Sequence, residues 1–343
     1  MLVSPLAEHF RRHGGELVEY RGSLTRADGG EAAALLPDWP RGQVLLSDAS
    51  WRAQLAVGGA DARSWLNGMI SANVRDLEPG RWAPSFQLDP KGHILATLEV
   101  ACLGANSFLL LTDEAQRAGL EQRLRRYIFV SKLSLEDRSE RWSGLRLRGP
   151  EWAQAWRRAG LAELKLAAGE LGAVRLPDGS EGLGLGAAAG GIAQLELLAP
   201  AAAMAELWER LEAVALAVGS GVVERDRILS REPRYGTDIT AGELPQETGQ
   251  AGWLDFTKGC YVGQEIVERI RARGAVHRHW RALALGAEAP PGAAIEAEGR
   301  AVGQLTSVAR RGPDWLGLGY LRDPHQAPGT VLAVGGVAAR VEA

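Results

Sequence analysis

Residues 253–278 read WLDFTKGCYVGQEIVERIRARGAVHR, and they carry the strongest local signal in this 343-residue chain. Gly259 and Gly263 bracket Cys260, and glycine permits a sharp turn because it lacks a Cβ atom. Apolar side chains then recur at helical spacing, at Ile266, Val267 and Ile270. The stretch predicts a strand, a tight turn and an amphipathic helix, with the Cys260 thiol just ahead of the helix N-terminus.

The setting of Cys260 favours a reactive thiol. Unpaired backbone N–H groups and the helix dipole stabilise a thiolate at a helix N-terminus, and Lys258 adds a nearby positive charge. The alternative is a structural cysteine that merely fits a tight turn, and the local residues leave both interpretations open. A Cys-His hydrolase using His277 or His279 is disfavoured, because no acidic residue to orient the imidazole is evident.

The chain upstream of this stretch shows a similar order of elements twice. Residues 50–112 predict a strand, a helix and a strand hairpin, and FVSKLSLED, residues 129–137, predicts a further strand. Between them, DEAQRAGLEQRLRRYI predicts an amphipathic helix with one apolar face, made of Leu120, Leu124, Tyr127 and Ile128. From Leu145 a strand, a helix, a hairpin with a turn at PDGS, a strand and a helix follow. We therefore expect two α+β units related by an internal pseudo-repeat.

Beyond Gly274 the pattern changes to short Val/Ile/Leu strands punctuated by glycines, which suits a small closed β barrel. We predict an α+β protein in three parts. Residues 1–140 form the first α+β unit, residues 141–274 form the second, and residues 275–343 form the C-terminal β barrel.

The composition excludes several functional classes. With 46% hydrophobic and 24% charged residues, the chain is typical of a globular protein and not of a disordered one. Its formal net charge of −3 argues against direct nucleic-acid binding by phosphate neutralisation. No apolar run has the ~18 to 20 residues of a membrane span, and the N-terminal MLVSPLAEHFRRHGGE turns polar too early for a signal peptide. We expect a cytoplasmic protein that does not bind membranes.

Cysteine usage also limits the chemistry. Cys102 and Cys260 are far apart and lie in different surroundings, which does not suggest a disulfide framework. Two cysteines cannot supply a zinc or iron–sulfur site of four thiolates, so we predict no tightly bound metal. Cys102 ends an apolar strand and is expected to be a buried small hydrophobe.

Two glycine-containing stretches imitate nucleotide motifs. GLGLGAAAGG, residues 182–191, closes a predicted hairpin, whereas a dinucleotide fingerprint precedes a helix. LDPKGH, residues 88–93, lacks the first glycine and the Lys-Ser/Thr ending of a phosphate loop. We expect neither stretch to bind a nucleotide.

A local cluster of arginines follows the Cys260 turn in this slightly acidic chain. It is either a surface for an anionic ligand or partner, or a solvated helix face on which Glu265 and Glu268 pair with arginines. The sequence does not decide between the two. The cluster comprises Arg269, Arg271, Arg273, Arg278 and Arg281.

KGCYVGQE, residues 258–265, resembles the signature of the YgfZ family, whose members are relatives of the glycine-cleavage T-protein that bind tetrahydrofolate and support iron–sulfur enzymes. The resemblance implies a T-protein-like fold, with two ferredoxin-like α+β units and a C-terminal β barrel in a three-part ring around a central folate channel. The resemblance covers most of the chain and includes DARSWLNGMISANVRDLEPG, PSFQLDPKGHILATLEV, RYIFVSKLSLED, RYGTDITAGELPQETGQ, AVGQLTSVA and WLGLGYLR.

The departures from the wider superfamily are informative. Where the aminomethyltransferase carries an acidic pair, one member of which is catalytic, this chain has Ala96 and Thr97. The resemblance therefore implies that aminomethyl transfer is absent. In the segment RILSR, Arg227 matches related sequences, but Leu229 stands where an acidic residue is usual.

The resemblance also suggests ligand contacts. Glu196 corresponds to the acidic residue that reads the pterin ring, a role that suits a carboxylate accepting paired hydrogen bonds; the alternative is a surface residue at a strand edge. Arg227 would receive the folate carboxylates, and Tyr235 and Trp253 would pack on a flat ring, although core packing is the commoner fate of such aromatics. The signature itself contributes Lys258, Gly259, Cys260, Tyr261, Gly263, Gln264 and Glu265.

Together these features imply a tetrahydrofolate-binding accessory protein that supports assembly or repair of iron–sulfur enzymes and uses Cys260 as a redox-active thiol. Its expected partners are a folate and iron–sulfur client enzymes, with a link to tRNA modification, and it is not expected to be a conventional enzyme. Two alternatives are an aminomethyl or other one-carbon transferase of the T-protein type, and a folate-gated scaffold in which Cys260 is structural.

Overall fold

The computed structural model describes residues 1–27, 43–274 and 276–343. Its α-helices are α1 (Ala7–Arg12), α2 (Ala62–Met69), α3 (Glu114–Arg125), α4 (Trp152–Arg158), α5 (Met204–Glu212), α6 (Ser220–Leu229) and α7 (Gln264–Arg273). Short 3-10 helices lie at Ala201–Ala203, Pro245–Glu247 and Ala251–Trp253.

The strands alternate with these helices through the first two thirds of the chain and then follow one another directly. They are β1 (Leu2–Val3), β2 (Leu17–Tyr20), β3 (Ser23–Arg26), β4 (Leu45–Asp48), β5 (Arg52–Gly58), β6 (Arg81–Leu88), β7 (Ile94–Gly104), β8 (Ser107–Asp113), β9 (Ser134–Asp137), β10 (Trp142–Arg148), β11 (Leu171–Arg175), β12 (Glu181–Ala189), β13 (Ile192–Pro200), β14 (Leu216–Val218), β15 (Arg278–Leu285), β16 (Ala294–Ala297), β17 (Arg300–Arg311), β18 (Asp314–Arg322), β19 (Val331–Val334) and β20 (Val337–Val341).

Two sheets repeat one topology, as the pseudo-repeat in the sequence predicts. The first has the order β6-β7-β8-β5-β9 and the second the order β11-β12-β13-β10-β4-β14. Strands β5 to β9 of the first sheet correspond, in chain order, to β10 to β14 of the second. The corresponding strands lie in the same spatial order in both sheets, except that β4 is inserted between β10 and β14. β4 pairs antiparallel with β10 and parallel with β14. The N-terminal segment therefore completes the second sheet.

The C-terminal strands form a closed barrel in the order β15-β18-β17-β16-β19-β20. Its interior is apolar, with Leu283, Ile295, Leu305 and Val334 all almost fully buried. This confirms the predicted β barrel, because short strands with frequent glycines can curve and close without exposed edges.

The described residues divide into two compact units. The first contains Met1–Asn67, Ala72–Ser85 and Leu98–Val223, and the second contains Gly68–Ser71, Phe86–Thr97 and Glu224–Ala343. The proposed division of the chain at residues 140 and 274 stays a prediction.

Two apolar layers hold the first unit together. Helices α4 and α5 bury Trp156 and Trp208 against the outer face of the second sheet. The facing surfaces of the two sheets enclose a smaller cluster, formed by Ala101, Leu109, Leu111, Leu185 and Leu198. Each sheet is therefore apolar on its buried faces, and burial of this kind contributes about 25 cal/mol per Å² of apolar surface.

The structure shortens three predicted elements. Helix α3 ends at Arg125, so Tyr127 lies beyond it and is exposed instead of completing its apolar face. The strand predicted over residues 129–137 is limited to Ser134–Asp137, and Phe129 is exposed. The sequence AAAMAELWERLEAVAL, residues 201–216, predicts one helix, but α5 ends at Glu212. In each case apolar composition extended the prediction beyond the regular backbone, although Val214 and Ala215 after α5 still pack on the core.

The glycines of residues 182–191 serve packing. They lie in strand β12 and in the turn that leads to β13, as predicted for a hairpin. A Cβ atom on Gly186 would lie 2.3 Å from the Ala167 carbonyl oxygen, so only glycine permits this close approach. The described helices are too short or too polar to cross a membrane.

Candidate functional site

The Cys260 turn and the helix after it form as the sequence predicts, but the strand predicted ahead of them is wrong. A 3-10 helix at Ala251–Trp253 and irregular turns stand there instead, because the Asp255 carboxylate accepts the backbone N–H groups of Thr257 and Lys258 that a strand would pair with a neighbour. Gly259 and Gly263 both adopt left-handed backbone conformations, with φ of +96° and +86°. Helix α7 begins directly afterwards, at Gln264, and Cys260 is exposed to solvent. The Gln264 side chain accepts a hydrogen bond from the Tyr261 backbone N–H at 3.3 Å. The turn therefore presents a free thiol one turn ahead of a helix N-terminus.

Gly263 is required for a second, steric reason. A Cβ atom at this position would lie 2.6 Å from the Asp89 carbonyl oxygen. A Cβ atom on Gly92 would in turn lie 3.0 Å from the Ile266 Cβ. The turn at residues 88–93, which imitates a phosphate loop in sequence, thus packs directly on the start of α7.

Residues 68–71, at the end of α2 and just after it, form hydrogen bonds to residues 253–262 around the Cys260 turn. The Ser71 hydroxyl donates to the Trp253 carbonyl at 2.6 Å, and the Asp255 N–H donates to the Ser71 carbonyl at 3.1 Å. The Val262 N–H donates to the Gly68 carbonyl at 3.1 Å. These bonds satisfy backbone groups on both sides of Cys260 and fix the position of its turn.

Lys258 completes this anchor from inside the protein. Its side chain is only 1% exposed, and its Nζ donates to the Ile70 carbonyl at 2.5 Å. Burial lowers the pKa of Lys258 to about 7, against the opposing effect of the Asp255 carboxylate. The nearby positive charge that the sequence predicts is therefore weakened, because the amine is buried and lies 4.8 Å from the centre of the Tyr261 ring.

The exposed face of α7 supports the solvated-helix interpretation of the arginine cluster. Arg269 pairs with Glu265 at 2.6 Å, and Arg271 contacts Glu268 at 3.5 Å. Arg278 pairs with Glu247 at 2.9 Å. The side chain of Arg273 lies outside the described part. His279 approaches Asp323, at 3.7 Å.

The two candidate aromatics are in the core next to the turn. Tyr235 and Trp253 are partly buried against a cluster that contains Phe86, Ile94 and Tyr261. The Tyr235 hydroxyl donates to the Leu95 carbonyl at 3.0 Å. Both side chains pack within the protein, and their stacking on a ligand stays a prediction.

Arg227 lies in a buried polar network between α6 and the barrel. Its side chain is 2% exposed, and Nη1 pairs with Asp238 at 2.6 Å. Nη2 pairs with Glu224 at 2.6 Å and bonds to the Ser307 hydroxyl at 2.8 Å. In this arrangement Arg227 links α6 to Asp238 and to barrel strand β17. The expectation that it receives folate carboxylates stays a prediction.

Glu196 lies in the interior of the second sheet, so placing it at a surface strand edge is wrong. Strand β13, which carries it, lies between β12 and β10. Its carboxylate accepts hydrogen bonds from Arg52 Nε at 2.7 Å and Arg146 Nη2 at 2.9 Å. Although burial opposes ionisation, the two guanidinium groups hold the pKa of Glu196 below its ordinary value.

Glu99 joins the same cluster and was not found by the sequence analysis. It lies on β7, and its carboxylate pairs with Arg52 Nη2. Burial raises the pKa of Glu99, and the Arg52 charge only partly offsets this effect. A single acidic residue within the otherwise apolar strand ILATLEVACLG was the available signal, because a buried carboxylate needs a partner.

The two positions at which the resemblance implies an acidic pair in the aminomethyltransferase are on the same strand. Ala96 is fully buried and Thr97 is its neighbour on β7. These two residues belong to the second unit together with Cys260, whereas Glu99 and Glu196 belong to the first. Within the described ranges, no group of three or more His, Cys, Asp or Glu side chains is arranged to hold a metal ion.

Comparison with known proteins agrees with this architecture. Residues 38–175 match the family model described as the GCVT N-terminal domain. The aminomethyltransferase T of the glycine cleavage system from Bartonella henselae superimposes with a TM-score of 0.90, at 19% identity, over 99% of this chain and 96% of the other. This chain has the T-protein fold. The matches support its place in the wider aminomethyltransferase-like superfamily.

Two relatives match this chain at low sequence identity. A chloroplastic Arabidopsis thaliana protein, provisionally named a transferase, is 25% identical over 85% of this chain and 68% of its own length. The mitochondrial iron-sulfur cluster assembly factor IBA57 homolog of Pyricularia oryzae is 28% identical over 66% of this chain and 54% of its own length.

We predict that Gly263→Ala destabilises the protein more than Gly259→Ala. Both residues have positive φ, which costs a non-glycine residue roughly 1–2 kcal/mol. Only Gly263 adds a backbone clash, since no atom lies within 4 Å of a Cβ on Gly259. The additional loss should be about 1–3 kcal/mol, measured by urea denaturation. Equal losses for the two variants would show that the contact with Asp89 relaxes at no cost.

We also predict that Lys258 makes stability depend on pH in the alkaline range. Its pKa is about 7 in the folded protein and 10.5 in the reference state, so the unfolded chain binds more protons between these values. The free energy of unfolding, relative to Lys258→Met, should therefore rise with pH over this window by ~1 kcal/mol per pH unit.

This difference can be measured by urea denaturation of both proteins at several pH values, because other titrating groups cancel. Lys165→Met is the matched control, since the Lys165 side chain is 83% exposed. A stability difference between the native protein and Lys258→Met that does not change with pH would contradict the burial of an uncharged amine.

Proposed function

We propose that this protein binds tetrahydrofolate and supports the assembly or repair of iron–sulfur enzymes, with the Cys260 thiol as its reactive group. The observation that carries the proposal is an exposed thiol held ahead of α7 on a T-protein fold that lacks the acidic pair at residues 96 and 97. The carboxylate on which the transferase depends is missing, and the Cys260 thiol is present as a different reactive group.

The local structure supports a chemical role for Cys260. A structural cysteine contributes by burial, as Cys102 does at 0% exposure. Cys260 is exposed, while hydrogen bonds and a steric constraint fix the turn on both sides of it. A rigid turn that presents a thiol to solvent suits reaction with another molecule, such as disulfide exchange with a client protein.

The iron–sulfur role rests on resemblance. The signature over residues 258–265 resembles that of the YgfZ family, and one relative is named as an iron–sulfur cluster assembly factor. Clients would therefore be proteins that carry such clusters. An accompanying effect on tRNA modification would follow if a client acts in that process.

Folate binding rests on the fold and on Glu196. A buried carboxylate between two sheets can recognise paired N–H donors of a pterin ring, because it offers two oxygens in a fixed plane. Tyr235, Trp253 and Arg227 remain proposed contacts to the rest of the ligand.

Aminomethyl transfer is the second candidate, and the family-model match favours it. Ala96 and Thr97 oppose it, since neither can carry the charge that a carboxylate supplies. A folate-gated scaffold with an inert Cys260 is the third candidate. We propose a cytoplasmic location, although the names of two relatives place them in chloroplasts and mitochondria.

Alkylation of the native protein tests the thiol and the ligand together. We expect one thiol to react rapidly and Cys260→Ser to abolish that reaction, because Cys102 is completely buried. Added tetrahydrofolate should change the rate of the rapid reaction. The measurement is the time course of labelling, followed by mass spectrometry under anaerobic conditions.

Each part of the proposal can fail separately. Total thiols counted after denaturation serve as the control, and they should number one in Cys260→Ser and two in the native protein. Slow labelling of Cys260 would favour the scaffold. Absence of tetrahydrofolate binding in calorimetry would contradict the proposed folate binding. Production of methylenetetrahydrofolate from an aminomethyl donor would show that the protein is an aminomethyltransferase instead.

A further inference from the structure

The two carboxylates of the buried cluster in the first unit share one arginine unequally. Arg52 uses Nε for Glu196 and Nη2 for Glu99. Glu196 has a second partner in Arg146, at 2.9 Å. Because Glu196 accepts from two guanidinium groups and Glu99 pairs with Arg52, any change at Glu99 alters how strongly Arg52 binds Glu196.

The charged groups around Glu99 come from several strands. Arg52 lies on β5, Asp113 on β8, Glu196 on β13 and Arg146 on β10. Asp113 is itself paired with Arg21, at 3.3 Å. Burial, together with the charges of Glu196 and Asp113, raises the pKa of Glu99, while Arg52 opposes this. Glu99 is therefore the member of the cluster that most readily takes up a proton.

Exposure distinguishes Glu99 from the rest of the cluster. The side chain of Glu99 is 28% exposed, against 8% for Arg52, 6% for Glu196 and 13% for Arg146. A proton from solvent can reach Glu99 more easily than it can reach Glu196. The partly exposed carboxylate is thus suited to control the more deeply buried one.

Buried donors next to the cluster indicate that it can accept a further group. Trp51 Nε1 and Arg146 Nε are each buried without a hydrogen-bond partner in the described structure. The Trp51 ring centre lies 5.1 Å from the Arg146 guanidinium carbon and 5.5 Å from that of Arg52. Unsatisfied buried donors are costly, so a bound molecule with acceptor atoms would gain from meeting them.

From this arrangement, and resting on the folate binding proposed above, we propose that Glu99 is a positioning residue that controls access to Glu196. When Glu99 is ionised, it holds part of the Arg52 charge and leaves the Glu196 carboxylate available to the N–H donors of a heterocyclic ligand. When Glu99 takes up a proton, Arg52 pairs with Glu196 alone and competes with the ligand. Ligand binding then favours the ionised form and releases a proton.

The pH dependence of tetrahydrofolate affinity tests this role. We expect the dissociation constant of the native protein to increase about tenfold as pH falls through the range in which Glu99 takes up a proton, which burial places above the ordinary range of a glutamate. Glu99→Gln should bind about tenfold more weakly at pH 8 and lose this dependence. Titration of the ligand itself affects the native protein and Glu99→Gln equally. Any difference between their pH profiles of the dissociation constant is therefore due to Glu99.

Glu206→Gln is the matched control, because Glu206 is an exposed member of a helical pair with Arg210. It should follow the native profile. A Glu99→Gln profile that coincides with the native one would overturn the proposal while leaving folate binding intact. Failure of the native protein to bind tetrahydrofolate at any pH would contradict the proposed function, and the role of Glu99 would fall with it.

Proton release provides a second measurement if Glu99→Gln does not fold. Calorimetry of native protein and tetrahydrofolate in two buffers of different ionisation enthalpy gives the number of protons released on binding. We expect net release in the acidic part of the range. Binding without proton release there would overturn the proposal.

Discussion

The close approach of Gly263 to the turn at residues 88–93 is the constraint on which the position of Cys260 depends. The Asp89 carbonyl oxygen occupies space that a side chain at residue 263 would need, and the positive φ of Gly263 turns the chain into α7 at that point. Hydrogen bonds from Lys258 and Val262 to residues 68–71 hold the preceding side. Three separate chain segments must therefore be in place before the thiol is presented.

Polar groups are buried in both units, but their electrostatic arrangements differ. In the second unit Arg227 and Asp238 form a fully buried pair with Ser307, and such pairs fix the arrangement of elements more than they add stability. In the first unit Arg52 is divided between Glu99 and Glu196, and one of these carboxylates remains partly exposed. The first unit therefore keeps one carboxylate of its cluster within reach of solvent, whereas the Arg227–Asp238 pair of the second unit is closed to it.

The sequence predicted the elements that depend on local pattern. The two α+β units, the barrel and the Cys260 turn follow from hydrophobic periodicity and from glycines at defined positions. Helix ends were less predictable, because residues 127–130 are apolar although Tyr127, Phe129 and Val130 are exposed. The resemblance supplied the T-protein fold, which periodicity alone does not specify.

Features that depend on distant partners were not predictable. Lysine is normally a surface residue, and the carbonyl that draws Lys258 inward belongs to Ile70, 188 residues earlier. The ion pairs of Arg52 join residues 47 and 144 positions apart. No local pattern brings Glu99 and Glu196 to one arginine, since their strands belong to different sheets. The most informative departures from the sequence analysis are thus at buried charges.

The most direct test of the account is the activity of iron–sulfur enzymes in cells that lack this protein and are supplied with the native chain, Cys260→Ser or Cys102→Ser at equal abundance. If the exposed thiol is the reactive group, the native chain and Cys102→Ser restore those activities, whereas Cys260→Ser does not. Full restoration by Cys260→Ser would contradict a chemical role for Cys260 and leave a binding protein or scaffold on the T-protein fold.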